Sequence, residues 1–186
     1  MLGGFRIIKD KKILIVLILV IVFCYLYFKP NSQKQIYGND KKSIIKVIQS
    51  IDTYKNVELI EVLKIIDVKN DRIVAFLYNN KPAYIQFIKN RQGNYMWTNA
   101  ENGSNDESLS LFHVDLGNQL NNRILFISNQ ENNIAKVIIK VNYQKIEKGI
   151  NAGQNYASMI DIPKSKDNSY RFEYEYFDKD GKPIIK

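Results

Sequence analysis

The stretch that decides the fold is Arg72-Ile73-Val74-Ala75-Phe76-Leu77-Tyr78-Asn79-Asn80-Lys81-Pro82-Ala83-Tyr84-Ile85-Gln86-Phe87-Ile88-Lys89. Two runs rich in β-branched and aromatic residues flank four turn-forming positions, Asn79-Asn80-Lys81-Pro82. Asparagine tolerates the left-handed backbone that a tight hairpin needs, so the pattern predicts antiparallel strands over Arg72 to Tyr78 and Ala83 to Lys89. Upstream, Val57 to Val68 is again β-branched. Downstream, Arg91-Gln92-Gly93-Asn94 turns the chain into a further strand from Tyr95 to Asn99. These four strands make a β-meander.

Further upstream the period changes. Ile44, Ile45, Val47, Ile48 and Ile51 recur at helical spacing, against Lys41, Lys42, Lys46 and Gln49. Asn39 or Asp40 is placed to N-cap this segment. One amphipathic helix of roughly three turns is expected, ending near Asp52 and packed across the meander. Residues 40–105 are therefore read as a helix plus β-meander subdomain. The polar, acidic stretch from Ala100 to Ser108 reads as a loop or a subdomain junction.

Beyond it the strand pattern resumes with Leu109 to Leu116, Arg123 to Ser128, Ile134 to Tyr143, Gln154 to Ile162, Tyr170 to Phe177 and a short Pro183 to Ile185. Alternation sets Ala135, Val137, Ile139, Val141 and Tyr143 on one face. The four prolines, Pro30, Pro82, Pro163 and Pro183, fall at element boundaries, as strand pairing demands. Residues 106–186 are expected to form a β-rich, Ig-like sandwich or an extension of the first sheet. The fold class expected is α+β, mainly antiparallel β.

At the N-terminus, Ile13 to Phe28 is an unbroken apolar run with no charge, Gly or Pro. As a helix it would cover about 24 Å, slightly short of a ~30 Å hydrocarbon layer, and Lys11, Lys12 and Lys29 can snorkel from its ends. Tyr25, Tyr27 and Phe28 sit where an interfacial aromatic belt belongs. Phe28-Lys29-Pro30-Asn31-Ser32 lacks the small-residue pattern of a cleaved secretory signal. Cys24 follows Phe23 rather than a small residue, against lipidation. Gly4-Phe5 resembles a prepilin cleavage point, but Lys9 stands where a pilin carries Glu. The reading is an uncleaved transmembrane signal anchor over 13–28, followed by a linker over 29–39. Arg6, Lys9, Lys11 and Lys12 make residues 1–12 a cytoplasmic tail by the positive-inside rule, and put the rest of the chain outside.

Composition narrows the chemistry. The chain has 186 residues and a net charge of +8, with one Cys and one His. No internal disulfide framework is possible. From Lys29 onward the net charge is +5, spread singly along the chain. That is not the basic stripe of a nucleic-acid binder, but it would give weak attraction to an anionic envelope polymer or to lipid head groups. Usage of 22 Lys against 5 Arg, with 28 Ile, 21 Asn and 6 Ala, points to an AT-rich genome.

Four local patterns bear on chemistry. His113 and Asp115 lie two apart on a predicted strand, where a carboxylate can influence an imidazole, and Ser110 is the nearby nucleophile type. No nucleophile elbow accompanies them, so a solvent-facing strand pair is the reading. Asp178-Lys179-Asp180-Gly181-Lys182 begins like a calcium loop, yet Lys182 occupies the fifth ligand position. It reads as an Asp-Gly hairpin turn. Tyr170, Phe172, Tyr174 and Tyr176 share one strand face against Arg171, Glu173 and Glu175, a pattern read as core rather than as a stacking platform. Trp97, with Tyr95 on the same face, is also read as core. No residue is assigned a catalytic, cofactor-binding or metal-binding role, and no cofactor is expected.

The anchor, the Lys29-Pro30 linker, one helix, a strand meander and the terminal Tyr176-Phe177-Asp178-Lys179-Asp180-Gly181-Lys182-Pro183-Ile184 together resemble, in layout, the small signal-anchored extracytoplasmic proteins of low-GC Gram-positive bacteria. The resemblance implies a single-pass cell-membrane protein and carries no functional residue across. The function expected is a non-catalytic binding or interaction module at the cell surface. Its partners would be the bilayer, through residues 13–28, and a protein or an anionic envelope polymer. The alternatives are an accessory subunit of a membrane secretion or conjugation complex and, third, an envelope hydrolase using His113 and Asp115.

Overall fold

The computed structural model describes residues 13–23, 35–104, 107–116, 123–165 and 169–185. A first helix, α1, covers 13–23, the leading part of the expected anchor. Residues 24–28, the expected tail 1–12 and the linker up to residue 34 lie outside the described residues. Among the described residues no helix is long and apolar enough to cross a membrane.

Ile36–Lys186 forms a unit of its own. Its helix, α2 (Lys41–Ser50), starts where the sequence places it. The Asp40 carboxylate accepts the Ser43 N–H at 2.9 Å, and Ser43 Oγ accepts the Asp40 N–H at 2.9 Å, which closes a capping box. Ile44, Val47 and Ile48 are buried beneath it.

Below α2 lies the meander: β1 (Ile60–Val68), β2 (Asp71–Tyr78), β3 (Lys81–Lys89) and β4 (Tyr95–Asn102), antiparallel and in that order. The β2–β3 turn is shorter than its four-residue signal. Asn79 and Asn80 both have positive φ, 51° and 61°, and two such residues complete the reversal, so that Tyr78 faces Lys81. Lys81 and Pro82 therefore belong to β3, and the Pro82 carbonyl accepts the Gly103 N–H at 2.8 Å. β4 also runs through Ala100 to Asn102, the start of the expected loop.

β2 and β3 are buried on both faces, which explains their near-continuous apolar sequence. Val74, Phe76, Ile85 and Phe87 pack against α2, while Ile73, Ala75, Leu77 and Tyr84 face the other way. What they face is built from the second half of the chain, whose strands are β5 (Leu109–Val114), β6 (Arg123–Ser128), β7 (Lys136–Val141), β8 (Gln144–Gly149), β9 (Tyr156–Asp161), β10 (Phe172–Phe177) and β11 (Pro183–Ile184). They form two separate sheets, ordered β5-β6-β9 and β11-β10-β7-β8. Neither pairs strand to strand with the meander, so the alternative of a sheet extension is corrected. β8 had no counterpart in the sequence reading, because Gln144-Lys145-Ile146-Glu147-Lys148-Gly149 has one apolar residue and lies at a sheet edge.

The layers are thus helix, meander, second sheet and third sheet. Phe112, Val114, Leu125 and Ile127 fill the interface with the meander, and Leu109, Ile124, Phe126, Val137, Ile139 and Val141 fill the interface between the last two sheets. Polar ties cross the first interface. Gln86 is buried and donates through Nε2 to Asp71 Oδ1 at 3.1 Å and to the Asp115 carbonyl at 2.9 Å.

Arg72 fixes the entry to this unit. Its guanidinium makes a two-pronged ion pair with Asp67 at 2.7 and 2.8 Å, and donates to the carbonyls of Gly38 and Asn39 at 2.8 and 2.9 Å. It also lies 3.9 Å over the Tyr95 ring. Gly38 donates its N–H to the Tyr95 carbonyl at 2.8 Å, so the end of the expected linker is in fact part of the folded unit.

Candidate interaction surface

Strand alternation separates the residues that a hydrolase would need together. Ser110 points to the meander side of β5, where its Oγ is buried without a partner, and His113 points to the third sheet. Asp115 lies past the end of β5, and the hydrogen bond it makes is through its carbonyl, to Gln86. The partner of His113 is Tyr174: Nε2 and the phenol oxygen are 3.0 Å apart. The imidazole also meets Phe172 edge-on, with ring centroids 4.6 Å apart. Burial on that side lowers the His113 pKa below its ordinary value.

The aromatic row along β10 is neither fully buried nor freely exposed. Tyr170, Phe172, Tyr174 and Tyr176 all lie partly buried against the core between the second and third sheets. Neighbouring rings are near-parallel at 12°, 9° and 18°, with centroids 6.0, 6.2 and 6.5 Å apart. That spacing matches the roughly 6.6 Å repeat of alternate strand residues, so the rings stand like pages along the strand. Neighbouring rings turn their faces to one another along the row instead of lying side by side as one flat platform. Burial pushes the Tyr174 phenol up to about 12. Tyr170 accepts the Ser165 N–H at 3.2 Å, tying the strand to the preceding corner.

Trp97 corrects the core reading. Tyr95 is 7% exposed, but Trp97, two residues along on the edge strand, is 45% exposed. Tyr95 is covered by Arg72 and residues 38–39, and that cover stops short of Trp97. A bulge follows immediately, since Trp97 faces Phe87 and Asn99 faces Gln86. Tyr143 is a second correction. Alternation sets it on one face with Val137, Ile139 and Val141, yet β7 ends at Val141 and Tyr143 sits in the β7–β8 turn, fully exposed at 105%.

No family model, curated protein or solved structure matches this chain.

Asp178 behaves as the turn reading expects. Its Oδ1 accepts the N–H groups of Asp180 and Lys182, both at 2.9 Å, and Gly181 takes the left-handed φ of 78°. Among the described residues no cluster of three or more His, Cys, Asp or Glu is arranged to hold a metal ion. What sequence reasoning missed is backbone. The last strand, β11, pairs only with Tyr176 and Phe177, so among the described residues most of β10 has a strand on one side alone. The signal available was the brevity of Pro183-Ile184 beside a six-residue partner.

Proposed function

We propose that this chain is a non-catalytic binding module held at the outer face of the cell membrane by the 13–28 anchor, with its N-terminus in the cytoplasm. Within it, residues 106–186 serve as an Ig-like scaffold. With the strands lettered in Ig fashion, and with no strand D among the described residues, the two sheets read A-B-E and G-F-C-C′, which supports that reading. Tyr170 supports it too, since its hydroxyl reaches back to the backbone of Ser165 at the E–F corner, as a tyrosine corner does.

The observation that carries the binding role is Trp97. A tryptophan 45% exposed on an edge strand leaves a large apolar surface in water, a residue type and position enriched where proteins meet. The test is a photo-crosslinking residue in place of Trp97 in living cells, with Ser50 on the exposed side of α2 as control. The reading expects a discrete adduct with an envelope protein from position 97 and none from position 50. An adduct with wall polymer would redirect the ligand class. A stoichiometric integral-membrane adduct would favour the accessory-subunit reading, and identical adducts from both positions would remove the argument from Trp97.

A further inference from the structure

We infer that the open edge of β10 is an acceptor for an extended strand from another protein, apolar at alternate positions and basic between them. This rests on the reading of the chain as a binding module but not on the anchor. The backbone directions come from the ladder itself. Arg171 and Phe177 turn their carbonyls to β7 and its flanks, accepting N–H groups from Asn142 at 2.9 Å and Ala135 at 2.8 Å. Odd-numbered residues of β10 therefore bond toward β7, and even-numbered residues bond the other way. On that other side β11 occupies only the positions opposite Tyr176 and Phe177. The N–H and C=O groups of Phe172 and Tyr174 point outward with no strand beside them among the described residues.

An added strand would continue the line of β11, antiparallel to β10. Its residues opposite Phe172 and Tyr174 would point into the seam where those rings meet His113, so these positions call for apolar side chains. β10 holds no Lys and no Pro, whereas β8, the opposite edge of the same sheet, carries Lys145 and Lys148.

Charge selects the occupant. Glu173 and Glu175 lie on the outer face of β10, half exposed at 50% and 45%, with Arg171 and Lys140 as their cations. If a second copy of β10 paired antiparallel through the outward groups, its Arg171 could face Glu173 or Glu175, according to register, but not both. Self-pairing therefore leaves at least one carboxylate with no cation opposite it. A strand with Lys or Arg at those positions meets both carboxylates instead.

The test is amide hydrogen exchange of the full chain in detergent, followed at Phe172 and Tyr174, with an eight-residue peptide of alternating Val and Lys or of alternating Val and Glu. The Val-Lys peptide should slow exchange at these two amides by about tenfold or more, and the Val-Glu peptide should leave them unchanged. The Glu173→Lys/Glu175→Lys chain should reverse that preference. The inference is overturned if the two amides are already as slow as the core of β7 without peptide, or if neither peptide protects them. It is also overturned if both peptides protect equally, or if protection falls on β4 or β5 instead. Failure of the membrane-anchor reading would show in a different measurement, thiol labelling of intact cells.

Discussion

The Tyr174 hydroxyl lies 3.0 Å from Nε2 of His113, which joins the edge strand of one sheet to the aromatic row of the next. Burial against that row lowers the folded-state pKa of His113, so the imidazole is neutral in the fold and more readily protonated in the unfolded chain. The stability this contributes is present above the ordinary value near 6.5 and is lost as pH falls through the lowered folded value. Urea midpoints should therefore drop between pH 7 and pH 5, and His113→Gln should flatten that drop. A His113→Gln chain with the same pH dependence would contradict this. Tyr174→Phe should cost about 1 kcal/mol at pH 7, the usual worth of one hydrogen bond.

Arg72 should be far more sensitive than an exposed arginine. Its fork serves Asp67 and two carbonyls, and its plane covers Tyr95. Arg72→Ala should cost about 2–3 kcal/mol in denaturant unfolding, and Arg72→Lys should recover little because an ammonium cannot make the fork. Asp67 is held below the ordinary carboxylate range, first by its hydrogen bond to Arg72. Its contribution is present above about pH 4 and fades as pH falls through the lowered value, so Asp67→Asn should remove part of the acid limb of the stability curve.

Gly38 is required by contact rather than by conformation. A Cβ there would stand 2.3 Å from the Phe87 ring, which is itself fully buried. Gly38→Ala should cost about 1–3 kcal/mol as overpacking. Adding Phe87→Leu should give a total loss smaller than the sum of the two single losses, since the shorter side chain frees the space.

Asn142 has two separable roles. Its φ of 55° favours Gly or Asn, and its side chain accepts the Arg171 N–H at 2.9 Å and donates to the Ser169 carbonyl at 3.2 Å. Asn142→Gly keeps the conformation and loses the bonds, for an expected cost of about 1 kcal/mol. Asn142→Ala loses both and should cost about 2–3 kcal/mol in the same assay. Equal losses would mean that only the bonds matter.

Local chemistry was the most legible part of this fold. The Asp40 cap, the paired asparagines of the β2–β3 turn and the Asp178 turn all announce themselves because each acts within a few residues. The mainly antiparallel β class followed from alternation in the same way. Alternation does not say which sheet a strand joins, so three stacked sheets were not readable from it. Nor does it say where an element stops, which misplaced Tyr143 by extending β7 two residues. Trp97 was misjudged because the sequence does not record that β4 is an edge or that Arg72 covers Tyr95 from a distant strand. The open side of β10 depends on how few residues β11 pairs with, a tertiary fact with only a faint trace in the sequence.

A binding module tethered outside the membrane has its two ends on opposite sides of the bilayer, which thiol labelling reads out. In a Cys24→Ser chain, a cysteine is placed either at Tyr143, fully exposed in its turn, or at Arg6 in the expected tail. Wall-stripped intact cells are treated with a membrane-impermeant maleimide. A module tethered in this way predicts that Tyr143→Cys labels equally before and after lysis, while Arg6→Cys labels only after it. Labelling of Tyr143→Cys only after lysis would contradict it.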